Sequence, residues 1–179
     1  MRTIKIVGAV AALAIASGCT VEQVRGVQPA GSSFTDALAS EYRDLAIFEA
    51  DQMYDFQDAD YFARLGLAAA QGQEVQPTVP AARGVTGDAL AEAEALRGRL
   101  MSNLSARKAS EPVASARGQV AYDCWVEQLE EDIQDDHIAV CYDKLLAYLQ
   151  EVQAPVQTAD AATFICFFGW NSDVVDTEC

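Results

Sequence analysis

Two cysteines in the second half of the chain are the residues best placed to do chemistry together. Cys124 and Cys141 flank a predicted turn, and the midpoint between them falls at residues 132–133. In an antiparallel helical hairpin, residues equidistant from the turn face each other. A Cys124–Cys141 disulfide is therefore geometrically plausible, and closing a loop of this length would stabilise the fold by ~3 kcal/mol. Other pairings, with Cys166 or Cys179, remain open.

A metal site is the alternative use of these thiols. His137 and Cys141 are one helical turn apart, Cys124 could approach them, and Asp123 or Asp136 could add an oxygen. Zinc uses ligands of these types, but a structural zinc site usually has four ligands at tighter spacing. A nucleophilic pair of Cys141 with His137 lacks a third, orienting group. We therefore predict a disulfide, with no metal ion and no cofactor.

A run of carboxylates surrounds the same predicted turn. Its members are Glu127, Glu130, Glu131, Asp132, Asp135 and Asp136. Calcium prefers oxygen ligands of this kind, but the run lacks the regular spacing and the mid-loop glycine of a calcium-binding loop. Carboxylates at helix ends, some of them near a helix N-terminus where negative charge is favoured, explain the run as well. We predict that these side chains face water.

The beginning of the chain has the pattern of an export signal. Arg2 and Lys5 precede an apolar stretch at residues 6–16, which is shorter than the ~20 residues that a membrane-spanning helix needs. The small residues 16–18 then lead into Cys19 and resemble the lipobox of bacterial lipoproteins. In that family the signal peptide is cut before the cysteine, whose thiol receives a diacylglycerol and whose new amine is acylated.

This resemblance implies that residues 1–18 are a signal peptide and that Cys19 is the lipidation site. Residues 19–32 are then a lipidated tether, because they lack hydrophobic periodicity and contain glycine and proline. Thr20 follows the cysteine where Asp would be a retention signal, which by resemblance to Gram-negative lipoprotein sorting implies the periplasmic face of the outer membrane. An ordinary secretory peptide that leaves a free Cys19 thiol is the alternative.

The charge of the chain excludes one class of partner. The net charge is −15 at pH 7, and loss of residues 1–18 with their two basic side chains would leave −17. An acidic surface without a basic cluster repels nucleic acid and anionic lipid head groups. We therefore expect no nucleic-acid partner, and membrane attachment only through the lipid.

Apolar residues at steps of three and four predict an all-α body. Five helices are expected, over about residues 34–56, 57–72, 87–105, 110–132 and 137–152. Ser33 and Asp36 have the spacing of an N-cap and its acidic partner, and Asp135 or Asp136 is expected to cap the fifth helix. Short connections favour an irregular bundle of antiparallel hairpins over residues 33–152. Trp125 and the neighbouring tyrosines are expected to pack inside it.

The last part of the chain changes character. Residues 153–162 predict a linker rich in alanine, proline and threonine, and residues 163–168 predict a short β-strand. Signatures of catalysis are missing, since the chain contains no G-x-S-x-G turn, no phosphate loop and no H-E-x-x-H pair. We therefore expect that the protein is not an enzyme.

Several segments resemble the OmpA-family outer-membrane lipoproteins. Residues 121–131 (AYDCWVEQLEE), followed by Cys141, are similar to the helical N-terminal region of that family, as are residues 41–46 and 58–64. Residues 164–172 (FICFFGWNS) are similar to the opening of its peptidoglycan-binding domain. The resemblance implies a protein that links the envelope to peptidoglycan, with a helical domain and a wall-binding domain joined by a linker.

The same resemblance limits what can be carried over. An OmpA-like domain needs roughly another hundred residues, an ordinary size for one domain. The Asp and Arg that grip the peptidoglycan peptide in that family would lie in that part, so residues 163–179 are expected to be only its truncated start. Peptidoglycan is therefore a partner by family resemblance alone. A periplasmic helical module that binds an unknown protein partner is the alternative function.

Overall fold

The computed structural model describes residues 20–28, 31–131, 133 and 135–151. These residues form helices α1 (Phe34–Phe48), α2 (Phe56–Ala70), α3 (Gly87–Arg107), α4 (Pro112–Glu131) and α5 (Asp135–Glu151), with a 3₁₀ turn at Pro80–Arg83. The described part contains helices and no strands, which confirms the all-α prediction. None of its helices is long and apolar enough to cross a membrane.

Some sequence predictions lie outside the described residues. They are the signal peptide with Cys19, the linker at residues 153–162, the strand at residues 163–168, and the two remaining cysteines, Cys166 and Cys179. The division of the chain into a tether, a helical domain and a later domain therefore remains a prediction.

Helix α1 begins as its sequence predicts. The Ser33 hydroxyl accepts a hydrogen bond from the Asp36 backbone N–H at 3.1 Å, and the Asp36 carboxylate accepts one from the Ser33 N–H at 3.1 Å. These two bonds satisfy backbone donors that the first turn of a helix leaves without partners.

The end of α1 differs from the prediction. The regular helix stops at Phe48 and is followed by a π-helical turn, Glu49–Met53, instead of continuing to residue 56. Tyr54 then adopts a left-handed conformation with φ of 58°, and the Asp55 carboxylate accepts hydrogen bonds from the first N–H groups of α2. The apolar periodicity runs through this corner, so only the backbone geometry shows where one helix ends and the next begins.

The helices pack as two hairpins. Helix α1 pairs with α2, α4 pairs with α5, and the two hairpins meet through α1 and α4, while α3 packs against α4. Large, fully buried side chains of the resulting core include Leu38, Tyr42, Phe62, Leu100, Tyr122 and Leu145. Trp125 is also buried, as predicted. Full burial of each large apolar side chain contributes about 1.5–3 kcal/mol.

The segment expected to be a tether is partly folded. Within the predicted tether, residues 20–25 are helical, and Val21 and Val24 are buried. Val24 packs on α2 at Gly66, where the helix has no side chain. A Cβ at that position would lie only 3.0 Å from the Val24 side chain. The expectation of an unstructured tether is corrected for residues 20–25, because Val24 packs against α2 and Val21 is buried.

The start of α5 is a smaller correction. The helix begins at Asp135, so Asp135 and Asp136 lie in its first turn and not at a cap position before His137. Negative charge in the first turn is favourable because the backbone N–H groups there point toward it.

Candidate functional site

The structure brings Cys124 and Cys141 together. Their Sγ atoms lie at bonding distance, 1.95 Å apart, with a Cα–Cα distance of 5.8 Å that falls in the usual disulfide range. Both cysteines are buried in the interface between α4 and α5. The pairing expected from the hairpin geometry is therefore the one that the structure contains.

The residues considered for a metal site are placed differently. The His137 ring packs near the Phe48 ring, with 5.9 Å between their centroids. Across the described ranges, no three His, Cys, Asp or Glu side chains are grouped so that they could hold a metal ion. The Cys141 sulfur is bonded to Cys124, and the Asp123 carboxylate accepts hydrogen bonds from Thr78 and Tyr42.

A groove runs beside the disulfide between α1, α4 and α5. Its volume is about 790 Å³, within the range of ordinary ligand pockets. Its walls are mainly apolar and include Leu45, Phe48, Val120, Ala121, Val140 and Ala147. Charged side chains also line the groove: Glu41 and Asp44 of α1, Arg117 of α4 and Lys144 of α5. The groove therefore suits an apolar segment flanked by charges.

A stripe of buried polar residues was missed by the sequence analysis. Gln119, Asp123 and Glu127 follow each other at steps of four along α4, and all three are buried. Glu127 was predicted to face water and is instead fully buried, which corrects that prediction. The reason is that α4 is enclosed by α1, α3 and α5, so its polar face has no access to solvent. The spacing of four residues between Gln119, Asp123 and Glu127 was the sequence feature that could have predicted this stripe.

Both oxygens of the Asp123 carboxylate accept hydrogen bonds. Its Oδ1 accepts a hydrogen bond from the Thr78 N–H at 2.7 Å, and its Oδ2 accepts one from the Tyr42 hydroxyl. Gln119 donates from Nε2 to the Tyr42 oxygen at 3.0 Å and to the Val75 carbonyl at 2.9 Å. Burial raises the pKa of Asp123 to about 6, against the lowering effect of the bonds from Tyr42 and Thr78. The network ties the loop before the 3₁₀ turn to α4.

Glu127 and Glu49 are buried without comparable partners. Glu127 accepts one hydrogen bond, from Gln128 Nε2 at 2.8 Å, and its other oxygen has no hydrogen-bond partner among the described residues. Glu49, in the π turn, is 1% exposed, and neither of its oxygens has a partner there. Burial, with a smaller contribution from nearby negative charge, raises the pKa of each carboxyl to about 8. Both groups therefore favour the protonated, neutral form at pH 7.

Arg83 is the cation whose charge lowers the pKa of Glu49, but its Nη1 is bonded to other acids. Arg83 bonds from Nη1 to Asp58 Oδ1 at 2.5 Å and to Glu130 Oε2 at 2.8 Å. Its guanidinium carbon lies 4.4 Å from the centroid of the Tyr61 ring, a favourable cation–π distance. Burial still raises the pKa of Asp58 despite this ion pair. Arg83 thus compensates Asp58 and Glu130 directly and leaves Glu49 and Glu127 without a bonded cation.

Gln128 connects the two regions. Its side chain is buried, lines the groove and donates the hydrogen bond to Glu127. The arrangement can bind an apolar segment at the groove and can hold protons at the buried glutamates. Comparison with protein-family models, with curated proteins and with solved structures found no match for this chain. What the two regions do is therefore inferred from their geometry and chemistry.

Proposed function

We propose that this protein is a lipid-anchored, non-enzymatic protein of the outer membrane, facing the periplasm, whose helical domain is a protein-binding module. The export pattern and the small residues before Cys19 support the anchor. The resemblance of residues 121–131 and 164–172 to OmpA-family lipoproteins supports a place in the cell envelope. The absence of hydrolase and phosphate-binding motifs from the sequence supports a role without catalysis.

The groove between α1, α4 and α5 is the observation that carries the binding function. It joins apolar walls to charged residues of both signs, with Arg117 Nε 3.1 Å from Glu41 Oε1. Protein interfaces combine an apolar centre with a polar rim in this way. Val140, in the groove wall, is 51% exposed and offers apolar contact area to a partner. The occupant that fits is an apolar helical segment of another envelope protein with charged flanks.

The binding function is tested by site-specific photo-crosslinking in cells. A photo-reactive residue replaces Val140, which lines the groove, or Val113, an exposed valine of α4 that does not. The expected result is one defined protein adduct at position 140 and none at position 113. The additional substitution Ala121→Glu, which places a charge in the groove wall, should remove that adduct. Equal adducts at both positions, or none at position 140, would contradict the proposal.

The anchor is tested by the intact mass of the protein taken from cell envelopes. A mature chain that begins at Cys19 and is heavier by its lipid is expected, and a Cys19→Ala variant should lack that added mass. A chain of unlipidated mass would remove the anchor from the proposal and leave the binding module.

The link to peptidoglycan rests on family resemblance, and purified sacculi test it. The segments that carry the resemblance do not include the Asp and Arg that grip the wall peptide in that family. Sedimentation of this chain with sacculi is therefore expected to leave it in the supernatant. Clear co-sedimentation would instead assign wall contact to the helical domain.

A further inference from the structure

The connections of the two helical hairpins lie at the same end of the bundle. The ring of Phe48, the last residue of α1, lies 5.9 Å from the ring of His137, in the first turn of α5. Arg83 Nη1 bonds both to Asp58, in the first turn of α2, and to Glu130, at the end of α4. Helices α1 and α4 therefore end where α2 and α5 begin. We call this surface the hairpin end; it consists of residues 49–56, 130, 131, 133, 135 and 136.

The hairpin end exposes three large apolar side chains. Tyr54 is 73% exposed, Phe56 is 56% exposed and Ile133 is 72% exposed. Tyr54 also has a left-handed backbone, with φ of 58°, which is uncommon for a bulky residue. Its ring gains little burial there, so packing within the described fold does not explain an aromatic residue at this corner. Apolar side chains that gather on one surface, instead of lying singly, are typical of an interaction site.

The segment that follows Cys19 is fastened to the same end. The Val27 carbonyl accepts a hydrogen bond from Arg43, in the middle of α1, at 3.0 Å. Closer to the N-terminus, Arg25 Nη2 lies 2.5 Å from Asp51 Oδ1, in the π turn of the hairpin end. The contacts of this segment thus move along α1 toward the hairpin end as the chain approaches Cys19. Only one short helix, with a rise of about 8 Å, separates Arg25 from Cys19.

We propose that the hairpin end rests on the membrane that holds the lipid of Cys19, and that Tyr54, Phe56 and Ile133 enter its interfacial layer. The inference rests on the lipid anchor of the proposed function. A lipid on Cys19 holds this end of the bundle beside the bilayer, so a few apolar side chains suffice for contact, because the cost of bringing the two surfaces together is met by the anchor. Tyrosine suits this layer because its ring is apolar and its hydroxyl reaches water.

Acidic side chains at the hairpin end determine which lipid fits. Asp135 and Asp136, in the first turn of α5, are exposed, whereas Asp51 and Glu130 are bonded to arginines. Anionic head groups repel carboxylates that lie close to the bilayer surface. The partner that fits this surface is therefore a bilayer of zwitterionic phospholipid, and anionic lipid should weaken the contact.

Photo-crosslinking of the lipidated full chain in phosphatidylcholine vesicles tests the inference. A photo-reactive residue replaces Tyr54, or Val113, which is exposed near the start of α4 and about 27 Å along that helix from the hairpin end. Mass spectrometry should find a phospholipid adduct at position 54 and none at position 113. The Phe56→Ser, Ile133→Ser double variant should reduce the adduct at position 54, whereas Val113→Ser should not. Replacement of part of the phosphatidylcholine by phosphatidylglycerol should also reduce it.

The same spectra report the lipid on Cys19, so failure of the anchor and failure of the contact are distinguishable. A lipidated chain with no phospholipid adduct at position 54, or with equal adducts at positions 54 and 113, would overturn the inference and leave the anchor. An unlipidated chain would overturn both. In cell envelopes, a protein adduct at position 54 in place of the phospholipid adduct would assign the hairpin end to a protein partner and overturn the membrane contact. A second preparation with the photo-reactive residue at position 56 keeps the test independent of any disturbance at Tyr54.

Discussion

Asp123 and Glu127 are both buried acids on α4, one helical turn apart, and they have opposite surroundings. Asp123 receives hydrogen bonds from Thr78 and Tyr42, which belong to a loop and to α1. Glu127 receives one amide hydrogen bond from its neighbour Gln128, and the charge of Glu49 disfavours its ionisation. The pKa of Asp123 is raised to about 6 and that of Glu127 to about 8. Hydrogen-bond donors let a buried carboxylate stay ionised at neutral pH, whereas burial near another acid favours the protonated form of the carboxyl group.

The difference gives the two residues different roles. At pH 7 Asp123 is mainly ionised and fastens the loop and α1 to α4, so it is part of what holds the fold together. Glu127 is mainly neutral at the same pH and stores a proton that can be lost within two pH units of neutrality. One helix therefore carries a structural acid and a titrating acid on the same face.

Removal of the Cys124–Cys141 disulfide is expected to have the largest effect. It tests whether packing alone holds α4, and with it Asp123 and Glu127, in place. The Cys124→Ser, Cys141→Ser double variant should lose about 3 kcal/mol of unfolding free energy, because the unfolded chain regains the freedom of the closed loop. Urea denaturation measures the loss. Reductant should have the same effect on the unsubstituted protein and little effect on the variant. Reaction of both thiols in the unreduced, denatured protein would contradict the bond.

Replacement of Asp123 by Asn should have the next largest effect. The amide has one acceptor oxygen where the carboxylate has two, so it cannot accept from both Thr78 and Tyr42, and a buried donor loses its partner. The expected loss is about 2 kcal/mol in urea denaturation at pH 7. Asp44→Asn is the matched control, because Asp44 is exposed and should change stability by less than about 0.5 kcal/mol. Equal effects of the two variants would remove Asp123 from its structural role.

The same chemical change at Glu127 should have a smaller effect of opposite sign. The folded protein holds this proton up to about pH 8, whereas an unfolded glutamate loses it near pH 4.5. Stability should therefore fall as pH rises from about 4.5 to 8, because over this window the folded state binds more protons than the unfolded chain. Glu127→Gln removes this loss and should therefore stabilise the protein at pH 8 relative to pH 5.

Thermal unfolding of both proteins at pH 5 and pH 8 measures that effect. The gain from Glu127→Gln should be clear at pH 8 and small at pH 5, where the carboxyl in the folded protein is already neutral. A gain that is the same at both pH values would indicate a packing effect and not a proton effect.

Local patterns predicted much of this fold. The capping box at Ser33, the five apolar stripes and the facing positions of Cys124 and Cys141 all depend on residues close in sequence or related by a simple hairpin. The packing of Val24 and the water exclusion at Glu127 were not predicted, because each depends on surfaces contributed by helices distant in the chain. The π turn was missed because apolar periodicity continues across it.

The sequence by itself determined the helical class and the acidity of the chain, since these follow from periodicity and composition, and its spacing favoured the Cys124–Cys141 pairing that the structure contains. Tertiary structure alone decided which acids are ionised. Asp123 and Glu127 are related carboxylates on one face of one helix, and only the side chains that other helices bring to them set their charge. The electrostatic cost of a buried charge depends on those partners, and no local pattern in the sequence encodes them.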